Sequence, residues 1–161
     1  MSTDILFSDY LDIQNVAFEW AQSYDTKDWD RLQRILAPST HLDHRNLKGP
    51  FHEHLSPDEF AAILLKFIGD KRMMTQHFIG VSKWERSGDD TVRAWHQIRV
   101  AHQRYSDESL ATVINKGHAH GMIEHRYRKI EGVWKLEGVV PNPGWSEYDL
   151  FGTLHPKEEG S

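Results

Sequence analysis

Four long stretches that alternate in polarity, 75–84, 91–105, 110–130 and 133–140, fill the second half of this chain and constrain its fold most strongly. Successive side chains on a strand point to opposite faces, so alternation gives each strand one apolar side. The clearest case is 91–105, where Val92, Ala94, His96, Ile98, Val100 and His102 share a face. A sheet built this way must bury that face against another layer. Ser87-Gly88-Asp89-Asp90 and Glu131-Gly132 supply turns between neighbouring strands. Strands of this length bend or carry bulges, because a flat sheet packs poorly on helices.

The first half supplies the covering layer. Ile13, Val16, Ala17 and Trp20 recur at helical spacing, which predicts a helix over 7–23 started near Ser8. A second short helix over 28–36 presents Trp29, Leu32, Ile35 and Leu36, and Pro38 ends it. A connection over 24–27 joins the two. A strand over 40–44 and an irregular stretch through Gly49 and Pro50 come next. Ser56-Pro57-Asp58 then opens a helix carrying Phe60, Ile63, Leu64 and Phe67 and stopping at Gly69. The segment 149–154 reads as a short helix or flap. The fold class is α+β: a curved mixed sheet wrapped around a central pocket and partly closed by N-terminal helices. A solid α+β sandwich without a cavity is the plain alternative.

At 161 residues the chain suits one domain, placed at 4–154 with a short tail over 155–161. A net charge of -5 and no lysine-arginine block predict no nucleic-acid partner. The absence of cysteine rules out disulfides and thiol nucleophiles, and fits a reducing compartment. Residues 1–10 hold two aspartates and no basic residue, unlike a secretory signal. No apolar run approaches the roughly 20 residues that span a bilayer, so a soluble, cytoplasmic or other intracellular protein is expected.

Eleven histidines make acid-base chemistry the question to ask. Ser23-Tyr24-Asp25 falls where the first helix ends. There Asp25 can orient an imidazole and Tyr24 can donate to a substrate oxygen. An aspartate in such a place is more often a plain turn residue. His77 begins a strand and His102 sits near the rim of the apolar face of 91–105; either can instead satisfy a backbone group in a solid core. His118 and His120 share one strand face, and Gly121 and Ile123 the other. Two histidines do not complete a zinc site, so these read as structural or surface groups and no metal is expected. Neither a glycine-rich phosphate loop nor a serine elbow occurs, and no cofactor is expected.

Several separated stretches together resemble the scytalone dehydratase family of NTF2-like α+β proteins. They are Phe7-Ser8-Asp9-Tyr10-Leu11, Tyr24-Asp25 through Lys27-Asp28-Trp29-Asp30, Thr75-Gln76-His77-Phe78-Ile79-Gly80 and His102-Gln103-Arg104-Tyr105. Lys116-Gly117-His118-Ala119-His120, Gly132-Val133-Trp134-Lys135 and Trp145 continue the likeness, which covers nearly the whole domain. The resemblance implies a cone-shaped fold and cofactor-independent loss of water from a reduced polyhydroxylated aromatic polyketide. It implies Tyr24, Asp25, His77 and His102 as catalytic residues, with Asp25 supporting His102 as the proton-transfer centre and His77 assisting. It also implies a homotrimer assembled through exposed sheet faces.

The likeness departs from the family pattern in the pocket. His44 stands where the family has a tyrosine, and Gly121 and Ile123 stand where it has a serine and an asparagine. These changes remove hydrogen bonds and are expected to add apolar wall and space. Leu47, Leu150 and Leu154 are further expected lining residues, beneath an aromatic flap of Trp145, Tyr148 and Phe151. Two other functions fit the same pocket: an isomerase or cyclase working by proton transfer, and a ligand-binding domain without catalysis.

Overall fold

In a computed structural model, residues 4–157 are described. The chain opens with two helices, α1 (Phe7–Thr26) and α2 (Trp29–Ile35), followed by strand β1 (Leu36–Asp43). A single 3-10 turn (Arg45–Leu47), β2 (Phe51–Leu55) and α3 (Pro57–Ile68) come next. Four long strands complete the sheet: β3 (Met73–Gly88), β4 (Thr91–Tyr105), β5 (Val113–Ile130) and β6 (Val133–Tyr148). Helix α4 (Leu150–Leu154) closes the order.

The six strands form one sheet in the order β2-β1-β6-β5-β4-β3. Only β1 and β6 pair in parallel; all other neighbours are antiparallel. Register shifts between Ile79 and Ser82 in β3, and between Pro143 and Trp145 in β6, are the bulges that long strands require. They let the sheet curve around the helical layer.

Helix α1 buries the face its spacing predicts: Ile13, Val16, Ala17 and Trp20, extended by Tyr24. It runs through Thr26 rather than stopping at Ser23, and Lys27 caps it in the left-handed conformation. Tyr24 and Asp25 therefore occupy the last helical turn rather than a connecting loop. Ser8 lies inside the helix, and no side chain caps its start. Asp9 instead fastens that end to the sheet, accepting from Trp134 Nε1 and Lys129 Nζ, each at 2.9 Å. These donors, Lys129 first, hold its carboxyl below the usual range.

Several strand boundaries differ from expectation: β1 already starts at Leu36, where a helix was expected to end, and β3 extends to Gly88. Strand β2 falls in the stretch read as irregular, because four of its five residues are exposed and leave no apolar alternation. Strand β5 begins at Val113; Leu110 sits in the preceding turn with φ 57°. Strand β6 passes through Pro141 and Pro143, where a sequence reading stops. Pairing with β1 ends at Val139, so beyond it β6 is an edge strand whose missing N–H groups cost no ladder bond on that side.

The expected tail begins inside the packed domain. His155 Nε2 donates to the Leu47 carbonyl at 2.9 Å, and its ring packs edge-on against Phe67. Residues 158–161 lie outside the described residues. No helix among the described residues is long and apolar enough to cross a membrane.

Helix α3 starts with a capping box: the Ser56 hydroxyl accepts from Glu59 N–H, and the Glu59 carboxylate accepts from Ser56 N–H at 2.8 Å. Ser56→Ala is expected to lower unfolding free energy by about 1 kcal/mol. Urea denaturation of the two proteins measures this directly.

Candidate active site

Helices α1, α3 and α4, the loop after β1, and β3, β4, β5 and β6 surround an apolar cavity. It leaves about 80 Å³ for the centres of water-sized molecules. Tyr24, His44, Leu47, His77, His102, Gly121, Ile123 and Leu154 line it. Sequence spacing did not mark Trp20, Phe67, Val100, Pro141 or Pro143, which line it too. Trp20 was legible only as a core residue. Its position four residues before Tyr24 puts both rings on one helical face, and that spacing was the available signal.

Asp25 does not support His102. Its Oδ1 accepts from His77 Nδ1–H at 2.7 Å and from Thr75 Oγ1 at 2.9 Å, while Oδ2 accepts from His77 N–H at 2.9 Å. The end of α1 lies beside the start of β3, so the carboxylate reaches the histidine on β3 rather than the one on β4. A carboxylate only accepts, so Nδ1 of His77 carries a proton, and in the neutral ring Nε2 keeps a free lone pair.

His102 finds a different partner. Its Nδ1–H donates to the Gly117 carbonyl across the β4–β5 ladder at 3.1 Å, again leaving Nε2 unprotonated. Burial, reinforced by the neighbouring His77, pushes its pKa down to about 3. The two imidazole centroids lie 6.3 Å apart with planes at 78°. They face a common space without touching.

Tyr24 packs edge-on against His77 at 5.2 Å and beside Trp20 at 4.8 Å. Burial raises its phenol pKa, so the hydroxyl keeps its proton. Among the described residues that hydroxyl has no hydrogen-bond partner, and neither does Trp20 Nε1. A buried unpaired donor beside a cavity is a group awaiting an acceptor. His44 is 8% exposed, and burial lowers its pKa to about 4, so at neutral pH its ring is uncharged.

Three expected features are placed differently. Leu150 packs over Gly117, where a side chain on residue 117 would collide with Leu150 Cα and come within 2.6 Å of its N, and it does not reach the cavity wall. Gly121 adds no space. A Cβ there would strike the Asn142 carbonyl and lie 2.6 Å from Gly144 N, because the β6 backbone already occupies that volume. Trp145 stacks on His120 at 3.8 Å on the outer sheet face, away from the cavity. His120 also donates to Glu147 at 2.7 Å, on that same outer side. Among the described residues no group of three or more histidines and carboxylates is arranged to hold a metal ion.

A family model described as scytalone dehydratase matches residues 4–159. Scytalone dehydratase of Pyricularia oryzae is 44% identical over 151 residues, covering 92% of this chain and 88% of that protein. Scytalone dehydratase-like protein AacuK of Aspergillus aculeatus is 46% identical over 146 residues, covering 89% of this chain and 83% of that protein. Among solved structures, hexachlorocyclohexane dehydrochlorinase LinA-type3 from Novosphingobium barchaimii superposes with a TM-score of 0.71 at 13% identity. That match covers 88% of this chain and 90% of the other, and at such identity it is a likeness of fold. The fold is the cone-shaped NTF2-like one that the sequence resembles.

Four buried histidines, His44, His96, His102 and His125, give the stability a definite pH dependence, and burial holds His125 well below its ordinary range. Burial lowers His44 and His96 to about 4 and His102 to about 3, against about 6.5 for a free ring. Below pH 6.5 the unfolded chain therefore binds protons that the folded one refuses, and stability falls as pH falls. Each ring contributes up to about 1.4 kcal/mol per pH unit across that window. Chemical denaturation at pH 7, 6 and 5 is expected to show a progressive loss, which His96→Gln reduces.

Proposed function

The chain belongs to the scytalone dehydratase family, and from that premise we propose that it dehydrates a reduced, polyhydroxylated aromatic polyketide without a cofactor. The His77–Asp25 pair facing an enclosed cavity carries this reading. Elimination of water next to a carbonyl needs a base for the α-proton and an acid for the departing hydroxyl. His77 Nε2 takes the proton, and the Asp25 carboxylate behind Nδ1 stabilises the imidazolium that forms. The C–H electron pair moves into an enolate, whose oxygen accepts from the Tyr24 hydroxyl. The enolate collapses, the C–O bond breaks, and the imidazolium returns its proton to the leaving oxygen as water. One ring thus both removes and delivers the proton, so His77 ends each turnover as it began.

His102 takes a different part from the one the resemblance implies. An imidazole with a pKa of about 3 is a poor proton acceptor. Its free Nε2 is suited to accepting a hydrogen bond from the substrate hydroxyl and so aiming that group at His77. The His44 ring, neutral and without a hydrogen bond among the described residues, can donate to a substrate oxygen in place of the family's tyrosine.

The assembly we propose is a homotrimer. Phe78, Met122 and Trp145 are exposed apolar side chains on the outer face of the sheet, the surface the resemblance assigns to subunit contact. Light scattering is expected to give three times the 18.8 kDa chain mass, and a monomeric mass would reject the trimer.

Incubating the protein with reduced naphthalenone or anthracenone intermediates is expected to give products lighter by one water, with nothing added. An unchanged mass would indicate isomerisation instead. His77→Ala is expected to lower kcat/KM by about 100- to 10,000-fold. Asp25→Asn, which offers an amide N–H to Nδ1 and favours the wrong tautomer, is expected to act in the same direction. Turnover by His77→Ala at the wild-type rate would end this mechanism.

A further inference from the structure

Polar side-chain groups face the cavity from one side only. Tyr24, His44, His77 and His102 supply them, whereas Ala119, Gly121, Ile123, Pro141 and Pro143 form an apolar wall. Two structural facts fix that wall. The β6 backbone fills the space a side chain at 121 would need, so no polar group can be mounted there without displacing the strand. Ile123 is 3% exposed and pairs in register with Pro141, which has no N–H to offer. His120 and Met122 also border the cavity, but the His120 ring is taken up by stacking on Trp145 and by its hydrogen bond to Glu147.

A hydroxyl pressed against this wall would lose its water and gain no partner, which weakens binding by about tenfold or more. We infer that the cavity selects a substrate whose carbonyl and hydroxyls gather on one edge, with the opposite edge bare hydrocarbon, and that Ile123 sets this preference. The inference rests on reading the cavity as the substrate site. It deepens the proposed reaction by dividing reduced aromatic polyketides into those oxygenated on one edge, which fit, and those oxygenated on both, which do not. Neither pose of a doubly oxygenated ring escapes the penalty, because turning it over only exchanges which hydroxyl meets the wall.

Binding of 1-naphthol and of 1,6-dihydroxynaphthalene tests this without requiring turnover. Quenching of tryptophan fluorescence follows occupancy, since Trp20 lines the cavity. The wild-type protein is expected to bind 1-naphthol at least about tenfold more tightly than the diol, whose second hydroxyl lies on the far ring. Ile123→Asn is expected to narrow or reverse that ratio, and Ile123→Val to keep it. Equal or tighter binding of the diol by the wild type overturns the inference whether or not the variants fold. So does an unchanged ratio in a folded Ile123→Asn protein, or binding of neither naphthol. A tenfold preference in a protein that releases no water from any substrate would instead leave the specificity standing and remove the dehydratase reading.

Discussion

The Asp25 carboxylate joins the helical layer to the sheet at the point where the chemistry is placed. Its two oxygens take a backbone N–H, a threonine hydroxyl and an imidazole N–H, all from the first residues of β3. This connection orders the end of α1 against an edge strand whose N–H groups would otherwise lack partners. It also fixes which nitrogen of His77 is protonated and which faces the ligand. Helix position, strand edge and tautomer thus follow from a single carboxylate. Trp20 and Tyr24, one turn apart on the same helix face, pack on the ring so ordered.

Burial then separates the histidines by role. His77 has an anionic partner, whereas His102 has only a carbonyl, and a low-dielectric site discourages charge on the second. Deeper in the cone, Ser82, His96, Tyr127 and His125 form a hydrogen-bonded chain with spacings of 2.6, 3.1 and 2.9 Å. Both of its imidazoles are held well below their ordinary pKa by burial. The core therefore accommodates several polar rings only in their neutral form.

Much of this was legible in the chain. The helical spacing from Ile13 to Trp20 and the alternation from Val92 to His102 gave the layers, and the Ser56-Pro57-Asp58 run gave a helix start. Tyr24, Asp25, His77 and His102 were identifiable through resemblance. Strand β2 was hidden because an exposed edge strand carries no apolar period. The end of β6 was hidden because two prolines argue against a strand unless its outer edge is known to be free. The partner of Asp25 was misassigned because two histidines were available, and only the crossing of α1 over β3 decides between them.

The sequence by itself determined an α+β layer structure and a set of acid-base groups, because periodicity and residue chemistry are local properties. The tertiary structure alone decided that Asp25 meets His77 and that Leu150 packs against Gly117. It alone decided that the vacant side-chain position at 121 is filled by a neighbouring strand. Each of these depends on the distance between segments far apart in the chain, which no local pattern encodes.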